Sequence, residues 1–220
     1  MKKKKVWISI GLIAAVLFIF VTVFVISQRD NLIALIDSRR YDSGELAKKV
    51  EENKDALDAA LDEVLPQAIR DLTVEDELSL IMGEITEEEA IDKIQIPSEN
   101  EEKTDEAAIE NVIAAYVGEL YGVKATYLGR LGALVGQAKA EFYALPDSQQ
   151  TTASKTRIMS SYVGMAASLE SQCDKKVSNV LSLLQTALEA LGGDTAIVAT
   201  LRSSYDAQKA AQKAYFLSLL

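Results

Sequence analysis

The chain has 220 residues, a net charge of −10, no histidine and a single cysteine, Cys173, so it cannot form an intrachain disulfide. Without histidine it lacks the commonest general base and the commonest transition-metal ligand. Residues 28–103 hold 9 Lys and Arg against 22 Asp and Glu, a net of −13, whereas residues 104–220 hold 10 against 11, a net of −1. An acidic surface repels phosphates, so nucleic acid is excluded as an expected partner.

Residues 6–27 form an uncharged apolar run preceded by four lysines at positions 2–5. As a helix this run would be about 33 Å long, enough to cross a hydrocarbon core of about 30 Å. The sequence predicts a cytoplasmic stub at residues 1–5, a transmembrane helix at 6–27 and an extracytoplasmic C-terminal domain. The reason is that lysines and arginines next to a membrane span favour the cytoplasmic side. The alternative is a signal peptide cleaved near Ser27. The run exceeds the usual secretory apolar core of about 7–15 residues, which favours an uncleaved signal-anchor.

Acidic helices are predicted next to the membrane, over residues 28–71. Asp42 and Glu45 have the spacing of a capping box, and the helix they begin should end or kink near Pro66. Residues 72–95 predict a short acidic helical hairpin, whose two helices begin at Thr73 and Thr86. Because such short helices are unstable alone, the hairpin must dock on the rest of the chain or on a partner. Residues 96–103 are a polar linker, where we expect the main domain boundary.

Residues 104–220 predict a three-helix antiparallel bundle. Thr104 is the expected N-cap of a helix over 104–145, a second helix covers 149–191, and a third follows Asp194. The expected fold is all-α, with the transmembrane helix followed by an elongated, coiled-coil-like bundle. Large apolar residues recur at helical spacing. In the first helix they are Ile109, Ile113, Tyr116, Leu120, Val123, Tyr127, Leu131, Leu134, Ala138, Phe142 and Leu145. In the second they are Ile158, Tyr162, Met165, Leu169, Cys173, Val177, Val180, Leu184 and Leu188.

A second stripe, of small residues, runs along the opposite face of the first long helix. Its five glycines each cost about 1 kcal/mol in helix propensity, so the small surface should allow close approach by another helix. The neighbour is either the acidic segment or a second copy of the protein. The predicted packing or interaction stripe consists of Gly118, Gly122, Ala125, Gly129, Gly132 and Gly136.

No residue pattern predicts catalysis. Serine, threonine and cysteine lack a histidine partner, no phosphate-binding glycine loop or calcium loop occurs, and acid pairs such as Glu87 and Glu88 fall on predicted exposed faces. Cys173 lies on an apolar stripe and is expected in the core. Four tyrosines also lie near the stripes, as core residues or as the walls of a ligand groove: Tyr116, Tyr127, Tyr162 and Tyr205. We expect no enzyme, no cofactor and no metal site.

Short segments of the chain resemble a known group of proteins. These are LTVEDELSLIMGEITEEEAIDKI, VKATYLGRL, the ALP turn, TTASKTRI and SLESQCDKKV, within residues 72–220. In them the chain resembles single-span, membrane-anchored helical proteins of Gram-positive, clostridium-like bacteria, a group without an assigned activity. The resemblance implies compartment and architecture only.

Two functions are compatible with this sequence. One is an anchored helical protein-interaction or scaffold module of the cell envelope, with the bilayer contacted through residues 6–27 and a protein partner or a second copy bound outside. The other is a helical-bundle sensor or ligand-binding ectodomain that works with a membrane partner.

Overall fold

The computed structural model describes residues 42–99, 101–102 and 104–218. Apart from one isolated antiparallel bridge, between Arg70 and Gln95, regular structure in these residues is helical. The predicted all-α class is therefore confirmed. The helices are α1 (Ser43–Asp62), α2 (Val74–Met82), α3 (Glu87–Lys93), α4 (Asp105–Tyr143), α5 (Thr152–Leu191) and α6 (Ala196–Ser218), with a 3₁₀ turn at Asp147–Gln149 before α5.

The predicted stub at residues 1–5, the predicted transmembrane helix at 6–27 and the stretch up to residue 41 lie outside the described residues. Within the described residues, no helix is both long and apolar enough to cross a bilayer.

Side-chain caps begin the first three helices, as their sequences predict. At α1 the Asp42 Oδ1 atom accepts a hydrogen bond of 2.9 Å from the Glu45 amide, and the Glu45 carboxylate accepts one from the Asp42 amide. Thr73 forms a capping box with Asp76 in α2, and Thr86 forms another with the third residue of α3. Each box satisfies amide groups that the first helical turn leaves without a partner.

Glycine and proline fix where α1, α2 and α5 end. Gly83 and Gly192 follow α2 and α5 with φ values of 75° and 69°, a left-handed conformation that favours glycine. The first long helix of the acidic segment ends at Asp62, earlier than the predicted stop near Pro66. The proline ring clashes with the carbonyl four residues before it, which is that of Asp62, so the helix must end there.

Contacts along α4, α5 and α6 run in antiparallel order. Ile109, near the start of α4, lies 3.2 Å from the position of an added Cβ at Gly193, just after α5. Arg202 in α6 donates a hydrogen bond of 2.9 Å to the Ser178 hydroxyl of α5. Tyr205, one turn further along α6, donates to a residue one turn earlier in α5.

The described residues divide into two compact units, one of residues 51–205 and one of residues 42–50 with 206–218. The predicted linker at 96–103 thus connects elements of the same unit, because the acidic hairpin packs on α4. In the smaller unit Leu46 and Ala214 are buried together. The core of the larger unit is Leu57, Leu61, Leu65, Ile69, Ile113, Ala114, Val117, Tyr121, Cys173, Val177, Leu181, Leu184, Leu188, Ile197 and Leu201.

The most buried face of α4 differs from the predicted apolar stripe. Val117, Tyr121, Ala125 and Leu128 are buried, whereas most of the predicted stripe is only half-buried. At about 100° per residue, Val117, Tyr121 and Leu128 lie between the apolar stripe and the glycine stripe, whereas Ala125 belongs to the glycine stripe itself. Because α5 packs on one side of α4 and the acidic segment on another, the residues between the two contacts are covered most completely.

In α5 the predicted stripe is largely the buried face, and Cys173 is confirmed as a core residue. Met165 is the exception, with 49% of its surface exposed. Leu181, outside the predicted stripe, is buried.

Two adjacent leucines of α5 test this orientation. Leu184 is 0% exposed and Leu183 is 46% exposed. We expect Leu184→Ala to lower the free energy of unfolding by about 2–5 kcal/mol, because it leaves a cavity in the core. Leu183→Ala should change it by less than about 0.5 kcal/mol. Denaturant unfolding of the full chain in detergent, followed by circular dichroism, measures both, and equal losses would contradict the assigned face.

Candidate functional site

The glycines of α4 allow α2 to approach its backbone closely. A Cβ atom added at Gly132 would lie 2.7 Å from the carbonyl oxygen of Ile81 and 2.9 Å from that of Leu80. Only glycine permits this backbone contact without displacement. An added atom at Gly129 would lie 3.5 Å from the Glu87 carboxylate, which is ordinary contact. At these two positions the neighbour of the glycine face is the acidic segment of the same chain.

The other members of the predicted stripe have different surroundings. Ala125 is fully buried, and an added Cβ at Gly118 would meet the side chain of Ile96 at 2.5 Å. At Gly122 and Gly136 an added Cβ would meet nothing within 4 Å. The structure thus places part of the stripe against the acidic segment and leaves two positions open. A role for the stripe in binding another protein stays a prediction.

The acidic hairpin, α2 with α3, docks through a small apolar surface. Leu80 and Ile81 of α2 and Ala90 of α3 are buried. The Thr126 hydroxyl of α4 also donates a hydrogen bond of 2.7 Å to the Glu87 carboxylate of α3. The hairpin is therefore covered on the side that faces α4.

Beside this docking surface lies a buried charge cluster, formed by Lys54, Asp71, Glu77 and Lys124. The Glu77 Oε1 atom lies 2.8 Å from the Lys54 ammonium and 2.5 Å from the Lys124 ammonium. Lys124 also lies 2.5 Å from the Asp71 carboxylate. Side chains of Glu77 and Asp71 are only 2% and 4% exposed. The cluster joins α1, the loop after it, α2 and α4, with two charges of each sign.

Mutual attraction outweighs burial in this cluster. Burial disfavours the charged form of Glu77, but Lys124 and Lys54 hold the pKa of its carboxyl below the ordinary value. Burial likewise disfavours the charged form of Lys124, yet Asp71 and Glu77 raise the pKa of its ammonium. Such a charge cluster determines which residues pack together more than it adds to the free energy of unfolding. The reason is that each buried charge becomes costly when its partner is removed.

Tyr121 lies near the cluster on α4. Its hydroxyl is buried and has no hydrogen-bond partner within the described residues. Burial raises the pKa of this hydroxyl, and Asp71 and Asp58 raise it further, so the group stays neutral. A buried hydroxyl without a partner costs about 1–3 kcal/mol.

Sequence reasoning missed this cluster, although weak signals exist. Lys54 has the helical register of Leu57 and Leu61, which are buried core residues. Glu77 stands three and four residues before the buried Leu80 and Ile81. Charged residues at apolar positions of a helix indicate burial with a partner, but the sequence does not say which partner.

The loops that follow α1 and α3 are tied together at Arg70. Its guanidinium donates two hydrogen bonds to the Asp62 carboxylate, at 2.9 and 2.8 Å, and lies 3.5 Å from the Asp58 carboxylate. Its backbone exchanges two hydrogen bonds of 3.0 Å with Gln95. The two loops are therefore held side by side.

Between these loops and α4 lies a cleft of about 170 Å³. Most of its walls are apolar, and two carboxylate side chains also line it. Its apolar lining includes Leu65, Pro66, Ala114 and Ala115. The carboxylates belong to Glu99 and Glu110, and uncharged polar residues complete the lining: Gln67, Ser98 and Asn111.

Large apolar side chains are exposed on the half of the α4–α5 hairpin that contains the turn, at the end of α4 and within the first four turns of α5. Tyr143 is 70% exposed, Val163 57% and Met165 49%. The Tyr143 ring stands edge-on to that of Phe142, with centroids 5.6 Å apart.

The tyrosines predicted near the stripes are at least half-buried. Tyr116, Tyr127 and Tyr205 pack against the core of the larger unit. Tyr205 also donates a hydrogen bond of 2.5 Å to the Asp174 carboxylate. The cleft described above contains none of them.

Comparison of the chain with protein-family models, with curated proteins and with solved structures gives no match. Within the part of the chain that the structure describes, no three His, Cys, Asp or Glu side chains are grouped so as to hold a metal ion.

Two glycines of α4 should respond to the same substitution with opposite sign. Gly132→Ala should lower the free energy of unfolding by about 1–3 kcal/mol, since the added methyl group meets the α2 backbone. Gly136→Ala should raise it by up to about 1 kcal/mol, because the space is open and alanine favours the helix. Denaturant unfolding of the full chain measures both. Equal stabilisation by the two variants would contradict the close approach of α2.

Glu77 should contribute to stability in a pH-dependent way. Because its pKa is lowered in the folded state, its contribution is present above the ordinary value of 4.5 and is lost as pH falls through the folded value. Glu77→Gln should cost about 3–5 kcal/mol at pH 7 and flatten the loss of stability between about pH 5 and pH 3. Chemical unfolding across this range tests it. Glu75→Gln, an exposed change in the same helix, is the control. If the free energy of unfolding of Glu77→Gln depends on pH as that of the unaltered chain does, the cluster is not the cause of the pH dependence.

Proposed function

We propose that this protein is a membrane-anchored, extracytoplasmic helical module of the cell envelope that presents helix surfaces to a protein partner. The apolar run at residues 6–27 and the lysines before it support the anchor and its orientation. The all-α bundle supports a role in presenting surfaces. In this proposal the bilayer is contacted only through the N-terminal helix.

The observation that carries the proposal is the set of large apolar side chains exposed on the half of the α4–α5 hairpin that contains the turn. Single exposed apolar residues are common on proteins. Here, however, Tyr143, Val163 and Met165 are all about half exposed or more within one helix–turn–helix segment. Tyrosine and methionine are enriched in the buried centres of protein interfaces. We assign partner contact to this end of the α4–α5 hairpin.

The length of the hairpin suits that role. α4 has 39 residues and α5 has 40, so each is about 60 Å long. Their packing against each other makes the pair stiff. Side chains near the turn are thus held on a rigid element rather than on a loop, which lowers the entropy lost on binding.

A second candidate is a sensor or ligand-binding ectodomain that works with a membrane partner. The observation that favours it is the cleft between the two loops and α4, which combines apolar walls with two carboxylates. A small molecule bound there would stabilise the folded chain by mass action.

Site-specific photo-crosslinking in cells tests the first candidate. A photoreactive amino acid replaces Met165 or Val163 in the full chain, and Lys176, exposed on the same helix, is replaced as the control. We expect one recurrent protein adduct from positions 165 and 163 and none from position 176.

Absence of a recurrent adduct from both positions 163 and 165 would overturn the assignment. If a screened small molecule then raised the melting temperature of the purified full chain, the sensor function would replace it.

A further inference from the structure

We propose that the cleft between the α1 loop, the α3 loop and α4 binds a single basic side chain, lysine or arginine, from the partner protein. This inference rests on the proposed function, because it names the chemistry by which that partner is recognised. It concerns a different part of the chain from the exposed apolar side chains near the turn of the hairpin.

The size of the cleft sets the size of its occupant. Its volume is about 170 Å³, close to the roughly 150 Å³ of a cavity that holds benzene. Pockets for cofactors and drug-sized ligands are larger, about 300–1,000 Å³. One long side chain therefore fits, and a nucleotide does not.

The walls of the cleft suit the aliphatic part of a basic side chain. Leu65, Pro66 and Ala114 offer apolar surface, and Leu65 and Ala114 are themselves buried. Lysine and arginine lay their methylene groups along such surface while the charged end reaches a polar partner.

Charge complementarity selects a cation for the far end of that side chain. Glu99 and Glu110 line the cleft, and none of its lining residues, all within the described part of the chain, is Lys or Arg. Glu101 and Glu102 follow Glu99 closely in sequence, within the segment whose net charge is −13. An ammonium or guanidinium group can make charge-assisted hydrogen bonds to such carboxylates, whereas an apolar side chain cannot.

The cleft is already formed in the free chain. Two backbone hydrogen bonds between Arg70 and Gln95 hold its loops together. Pro66 and Pro97 restrict the backbone of each loop, and the Ile96 side chain is seated over Gly118. A site that needs no rearrangement loses little entropy when it is occupied.

Nuclear magnetic resonance of the full chain in detergent tests the proposal with a defined probe. The probe is N-acetyl-lysine methylamide, and its counterpart with norleucine in place of lysine has no charge. We expect saturable shifts of the Ser98, Ala114 and Ala115 amides with the lysine probe only. Glu110→Gln should weaken the binding about two- to fivefold, the range of a partly exposed charge pair.

Two further variants complete the design. Glu119→Gln, an exposed change in the same helix outside the cleft, should leave the affinity unchanged. Ala115→Trp should fill the cleft and abolish the shifts, and its melting temperature shows whether the chain still folds. If Ala115→Trp does not fold, the affinity of Glu110→Gln for the lysine probe tests the inference instead.

Equal binding of the norleucine probe, or shifts located elsewhere, would overturn the inference. Recurrent crosslinks from position 165 together with no lysine binding would remove this inference and keep the proposed function. Lysine binding without any recurrent crosslink would keep the cleft as a cation-binding site and remove the partner surface near the turn.

Discussion

At Gly132 the backbone of α2 lies so close to α4 that a methyl group would not fit, and the rest of the acidic segment is arranged around this approach. It brings Glu77 within 2.5 Å of Lys124, which in turn lies 2.5 Å from Asp71 in the preceding loop. Apolar contacts alone would allow a short helix to slide or rotate on a flat surface. The buried charges remove that freedom, because each displaced arrangement leaves a charge without its partner. Glycine permits the contact, and the ion pairs determine its register.

This contact also explains how a segment of strongly negative charge joins a nearly neutral bundle. Most of the acids lie on exposed faces, and the buried Glu77 and Asp71 are matched by the lysines at positions 54 and 124. With α5 on one side and the acidic segment on another, α4 is covered along Val117, Tyr121 and Leu128. The change in charge near residue 100 therefore marks a change in surface chemistry within residues 51–205, which form one compact unit.

What the sequence predicts well is local. Capping boxes at Thr73 and Thr86 depend on residues three positions apart, and a proline dictates the end of α1 four residues before it. The charge cluster joins residues 23 and 53 positions apart, and no periodic pattern encodes such a pairing. The glycine stripe is only partly predictable from the sequence. Its spacing predicts a close neighbour on that face of α4, but both the identity of the neighbour and the positions it covers depend on the tertiary fold.

The packing of α2 and α3 on the glycine face of α4 also limits where a partner can bind. Its positions at Gly129 and Gly132 are already occupied by α2 and α3, so another protein would have to displace the charge cluster to reach them. Displacement would leave Lys124 without Glu77 in a buried place, a change that costs several kcal/mol. Surfaces that need no such displacement are therefore the better candidates. Two of these are the apolar side chains near the turn between α4 and α5 and the cleft beside Arg70. Because both rest on helices or on loops fixed by hydrogen bonds, either could bind a partner without first reorganising the core.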